Sequence, residues 1–215
     1  MSDGNTAREG AGANGGDGSF GRDVAIIAGA AVAGAAVLVA AFPGRVLPSI
    51  THRLMGLPGP GSGVCAVFGP AVMLLALVVH RFVPRRGAIL IFCLVLGVAQ
   101  NALMPVVSPG AKTVGTVGPF ALRVLAVAAL GAFLEEAVYR LRRRPAWLRY
   151  PASAIPANVA FLLFYWAAIY PLAGKPGVKL RNAAVLLAAA AGAAVIASLI
   201  PLLIRWVWPR SAKKI

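Results

Sequence analysis

Apolar and polar positions fall in long blocks along this chain, not at the two-residue alternation of a half-buried strand. Apolar runs occupy about 24–42, 64–81, 87–107, 118–137, 154–172 and 183–207. Each is close to the ~20 residues a helix needs to cross a ~30 Å hydrocarbon core. Inside that core every backbone N–H and C=O must be satisfied within its own segment, so helices are the expected structure. The pattern predicts an all-α polytopic membrane protein with six transmembrane helices over residues 24–207. Residues 1–23, rich in Gly, Asn, Ser and Asp, cannot bury enough apolar surface to order themselves and are expected to form a disordered tail. That tail has no basic stretch leading directly into a short apolar core, so it is not expected to act as a signal peptide, and the first apolar run is expected to be retained. Residues 208–215 form a basic C-terminus.

The positions of Lys and Arg give the expected orientation. One set of flanks holds Arg8 and Arg22, then Arg81, Arg85 and Arg86, then Arg140, Arg142, Arg143, Arg144 and Arg149, and finally Arg205, Arg210, Lys213 and Lys214. The alternate set holds only Arg45, Arg53, Lys112, Lys175, Lys179 and Arg181. Cytoplasmic flanks carry the excess of Lys and Arg, which predicts a cell-membrane protein with both termini in the cytoplasm. The outer face then carries the Pro/Gly-rich connections 43–63, 108–118 and 173–182. The first of these is long for a connection in a compact bundle, and long loops are often functional.

Composition agrees with a membrane protein. The chain is 60% apolar and 13% charged, against about 45–50% and about 25% for soluble domains. Its formal net charge of +15 would point to nucleic acid if it formed one basic face. The charge is instead dispersed in short blocks between apolar runs, so no nucleic-acid partner is expected; the lipid bilayer is. Cys65 and Cys93 both lie within apolar runs and read as packing residues. No metal-ligating cluster, cofactor motif or phosphate-binding G-x-x-x-x-G-K-[ST] loop is present.

Candidate chemistry concentrates at a few positions. Arg123 is the one basic residue well inside an apolar run, and an intramembrane Arg marks a functional site by default. Gln100 and Asn101 fall in the outer half of the third run, and Trp166 and Tyr170 toward the outer end of the fifth. A mostly apolar pocket with a few convergent polar groups is what a small-ligand site requires, so these five are the candidate substrate-binding residues. Snorkelling of Arg123 and an interfacial aromatic belt are the structural alternatives. The first run is almost entirely Ala, Gly and Val. Its small-xxx-small pairs, among them Ala31 with Ala35 and Ala36 with Ala40, allow close approach of another helix, from the same chain or from a partner.

Glu135 and Glu136 are the only acidic residues after position 23. E-E-x-x-x-R, completed by Arg140, resembles the first motif of the CAAX-protease and bacteriocin-processing family of intramembrane proteases, in which a glutamate activates water with the help of histidines on later helices. The chain departs from that pattern: His52 and His80 both precede the motif, and no F-x-x-x-H follows it. Glu136 and Arg140 are also i,i+4 neighbours at a helix end, the spacing of an ordinary surface pair.

Across 24–207 the pattern resembles the substrate-binding S component of energy-coupling factor (ECF) transporters. The resemblance rests on six short helices, the Ala-rich first helix and the long first outer loop. "LPGPGSGVCAVFGPAVMLL" and "GPFALRVLAVAALGAFLEE" are similar to the second and fourth helices of some members. It implies vitamin uptake, with a vitamin-like small molecule captured at the outer side. It also implies docking of the first helix, through Ala31 and Ala35 or Ala36 and Ala40, on a membrane coupling subunit driven by ATPases. On that basis the chain itself is not an enzyme and has no catalytic residue. A protease-like enzyme using Glu135, Glu136 and Arg140, or a non-catalytic membrane scaffold, are the alternatives.

Overall fold

The structure, a computed structural model, describes residues 17–42, 50–58, 62–107, 120–169, 171 and 180–207. The described residues are helical, without strands. The long helices are α1 (Asp17–Ala41), α2 (Val64–Phe82), α3 (Ala88–Val107), α4 (Phe120–Arg140), α5 (Ala146–Ile169) and α6 (Leu180–Val207). Five of them, all but α4, are long and apolar enough to cross a membrane. α4 has the length, at 21 residues, but also carries Arg123, Glu135, Glu136 and Arg140.

Successive neighbours form an arc. α1 lies along α3, α3 along α4, α4 along α5 and α5 along α6; α2 runs inside the arc, against α6 and in contact with all the others. α2 is accordingly the most buried of the five apolar spans, while α1 and α6, at the ends of the arc, are the least. Side chains such as Val72, Leu77, Phe92, Leu96, Leu130 and Phe161 fill the centre. The exterior is apolar as well, with Val32, Leu94, Leu125, Phe133, Leu163 and Ile196 exposed. A bundle apolar on both its inner and outer faces needs an apolar surrounding, and this is the surface of a multi-pass membrane protein.

Two contacts set the register. A Cβ on Gly131 would lie 2.6 Å from the Cβ of Cys93, and one on Gly97 would lie 3.3 Å from the Cβ of Val127. Glycine thus lets the α3 and α4 backbones approach closely, and the two helices run antiparallel. On the other side Asn158, wholly buried in α5, donates from Nδ2 to the carbonyl oxygens of Cys65 and Ala190, each at 2.8 Å. Cys65 lies in the π-helical turn Val64–Phe68 that opens α2, so one amide joins three helices. Gly69, which has no side chain, leaves room for the Asn158 carboxamide oxygen. Asn158→Leu is expected to destabilise the protein by about 1–2 kcal/mol, read as a lower midpoint when the protein in bicelles is titrated with SDS; an unchanged midpoint would remove this joint from the account.

The helix limits differ from the sequence pattern mainly where polar residues mask a start. α1 begins at Asp17 and not at 24: no proline interrupts the polar stretch, and Asp23 is held by Arg85 at 2.8 Å. α5 begins at Ala146 and not at 154, after Pro145, whose carbonyl accepts from Leu148 and Arg149. Pro151 and Pro156 lie inside this helix, Pro105 inside α3 and Pro201 inside α6. Within a bundle neighbouring helices compensate for such prolines.

Candidate functional site

Polar groups gather at the two ends of the bundle. At the end where α3 finishes and α4 begins, the antiparallel register brings Gln100 and Asn101 level with Arg123. Gln100 and Asn101 are buried, and Arg123 is half-buried. The Asn101 amide donates to the carbonyl of Gly97 in its own helix at 2.7 Å. Across from Arg123, α5 closes in a second π-helical turn, Tyr165–Ile169, which touches α4. Tyr165, buried on that turn, lies within electrostatic reach of Arg123. Trp166 beside it is half-buried and packs against Cys65, Leu162 and Leu186. Four of the five candidate ligand residues therefore share one end of the molecule, and Tyr170 lies outside the described residues. Tyr165 is not one of those five; it continues the buried face of α5 that runs through Ala154, Asn158, Phe161 and Leu162, and its ring meets that of Phe161 at 5.0 Å.

Part of the connection 43–63 covers this end. Ile50–Leu54 forms a single π-helical turn. His52 Nδ1 bonds to the carbonyl oxygen of Leu57 at 2.8 Å, and Ser62 donates to the buried Thr51 hydroxyl at 3.2 Å. Leu57 packs on the cluster of Cys65, Leu162 and Leu186. The tail 1–16, residues 43–49 and 59–61 of the connection 43–63, the connection 108–118, residues 173–179 and the C-terminus 208–215 lie outside the described residues.

On α1 the two small-residue registers separate. Ala31 and Ala35 are fully buried inside the chain, on the side where Gly34 faces Leu75, Phe92 and Leu96. Ala36 and Ala40 are exposed.

The opposite end is basic, and it is where the two glutamates part company. Glu135 is buried and turned toward α3, with one carboxylate oxygen accepting from the backbone N–H of Gly87 and the other from Leu90 at 2.9 Å. These are amides that a helix start leaves open, and a negative charge suits that pole of the helix. Gly87 takes a positive φ of 92°, a conformation open to glycine. Glu136 is exposed and pairs with Arg140 at 2.7 Å and Arg86 at 3.7 Å.

Beside them lies a cavity of about 410 Å³, lined by His80 and Arg81 of α2, Tyr139 and Arg142 around the end of α4, and Arg149 and Tyr150 of α5. His80 meets Tyr139 edge-on at 5.9 Å between ring centroids. Arg149 lies over the Tyr150 ring at 5.0 Å and donates to the Arg142 carbonyl oxygen at 3.5 Å. The Tyr139 phenol lines the same cavity and can donate as well as accept a hydrogen bond. In the sequence these arginines read as orientation signals; the interleaved His80, Tyr139 and Tyr150 were the available hint that they line something. Among the described residues no group of three or more His, Cys, Asp or Glu could hold a metal ion. Compared with protein-family models, with curated proteins and with solved structures, the chain matches none of them.

Proposed function

We propose that this protein is a six-span substrate-capture subunit of the cell membrane, taking up a vitamin-like small molecule at the end of the bundle marked by Arg123. The supporting observation is the position of Arg123: a guanidinium on a membrane helix, level with Gln100 and Asn101 and facing the π-helical turn of Tyr165 and Trp166. A charge at that depth is costly unless it is used, and π-helical turns are frequent where a helix lines a site. In this reading α4 is the sixth span, since its exposed face is apolar from Phe120 to Phe133 and Glu135 is turned inward. The excess of Lys and Arg at the other end supports a cytoplasmic position for that end and for both termini. The exposed Ala36 and Ala40 remain for docking on a coupling subunit served by ATPases.

The intramembrane-protease alternative draws less support. Both oxygens of Glu135 are occupied by backbone amides, and Glu136 is committed to arginines. Titration calorimetry of the purified protein in lipid nanodiscs against a vitamin panel is the test. One compound is expected to bind, and Arg123→Ala to weaken it at least tenfold, about 1.4 kcal/mol. No binding across the panel, with growth unaffected by Arg123→Ala, overturns the reading. Copurification of the chain with a pair of ATPases would support the docking half.

A further inference from the structure

We infer that the cavity at the basic end is a binding site for a phosphate group, and that it seats the headgroup of an anionic phospholipid. The inference is independent of the capture function. The cavity is built from three helices, and its volume of about 410 Å³ is within the range of small-ligand sites, about 300–1,000 Å³. Three arginines line it, Arg81, Arg142 and Arg149, and no carboxylate does. The nearby acids are already committed: Glu135 to two amides of α3, Glu136 to Arg140 and Arg86, and Asp23 to Arg85. Neither Arg142 nor Arg149 forms a salt bridge among the described residues.

Two further observations point to a missing anionic partner. His80 is only 7% exposed, yet its Nδ1 has no hydrogen-bond partner, and the Nε of Arg149 is likewise buried and unpartnered. Buried polar atoms are rarely left unsatisfied. A phosphate oxygen accepts from guanidinium, from a histidine N–H and from a phenol at once, which matches Arg149, His80 and Tyr139. The surroundings favour a lipid as the source. Phe82 and Trp147 stand 70% and 67% exposed beside the basic cluster, giving acyl chains an apolar approach. Basic pockets between membrane helices take anionic headgroups by this combination.

The test uses the full chain in neutral detergent. Native mass spectrometry with added phosphatidylglycerol or phosphatidylcholine is run beside thermal melting with inorganic phosphate. Phosphatidylglycerol is expected to be retained and phosphatidylcholine lost. Arg142→Gln with Arg149→Gln should weaken retention at least about tenfold, the loss of one charge-assisted hydrogen bond. Arg143→Gln with Arg144→Gln removes the same charge from the connection beside the cavity without touching its lining and should change nothing. If the Arg142/Arg149 pair does not fold, Arg142→Gln alone, at an exposed position, carries the comparison. Stabilisation by inorganic phosphate that depends on Arg142, without preference between the lipids, keeps the phosphate site and assigns it a soluble ligand. Equal losses in both arginine pairs, or no response to either probe, overturns the inference.

Discussion

Gly131→Leu is expected to leave no folded protein, and Gly131→Ala to lower stability by about 1–3 kcal/mol, the usual cost of forcing atoms into a filled core. A Cβ at this position meets the Cβ of Cys93 at 2.6 Å, its Sγ at 2.9 Å and the carbonyl oxygen of Ile89 at 3.3 Å. The Cys93 Cβ and the Ile89 carbonyl belong to or adjoin the backbone of α3, so neither can swing aside. The helices must separate, and Gly97 against Val124 and Val127 opens with them. Cys93→Gly removes both nearest atoms, so the double variant should recover part of what Gly131→Ala loses, a coupling that a double-mutant cycle isolates. Gly192→Ala is the control, since nothing lies within 4 Å of its Cβ. SDS titration in bicelles followed by far-UV circular dichroism measures each of these variants and Cys93→Gly alone. Additive losses at Gly131 and Cys93 would mean the two positions do not touch.

The existence of the helices was legible because a membrane span imposes length and apolarity on consecutive residues, and those survive in sequence without any tertiary information. Their partners were not. The Ala-rich helix reads as a stripe of small residues on several faces, and only packing shows that Ala31 and Ala35 meet the rest of the bundle while Ala36 and Ala40 stay outside. The polar cluster was legible in part: Arg123, Gln100, Asn101 and Trp166 were visible as polar or amphipathic residues near one end, and Tyr165 shares the helical spacing of the buried Asn158 and Phe161 but has nothing in the sequence to set it apart from an aromatic of the membrane interface. The basic cavity was hidden for a different reason. An arginine that orients a membrane protein and one that lines a pocket have the same composition and the same position along the chain. What separates them is whether α2, α4 and α5 leave a space between their ends. The pair Glu135 and Glu136 is the sharpest case. Adjacent residues on a helix point about 100° apart, so one of them can face water while the other enters the bundle, and which one does so depends on where α3 begins.

Glu135→Leu is expected to cost about 3–5 kcal/mol, because the amides of Gly87 and Leu90 lose a charged acceptor in a place that water reaches poorly. Glu135→Gln keeps the shape but turns an NH2 group toward one of two donors, and about 1–3 kcal/mol should be lost. Glu136→Gln should leave the midpoint where it is, since its partners are exposed side chains that gain little from pairing. The same three variants separate an anchoring glutamate from a catalytic one. A buried carboxylate retained only for chemistry is commonly a burden on the fold, and its amide leaves stability unchanged or improved. An anchoring carboxylate gives a loss with Gln and a larger loss with Leu. Hydrogen exchange adds a local readout: with Glu135→Leu the amides of Gly87 and Leu90 should lose protection while those near Asn158 keep theirs. Retained protection at Gly87 and Leu90, with an unchanged midpoint, would return Glu135 to the list of candidate catalytic groups. Loss of both makes the first glutamate of E-E-x-x-x-R the residue that fixes the start of α3 against the end of α4.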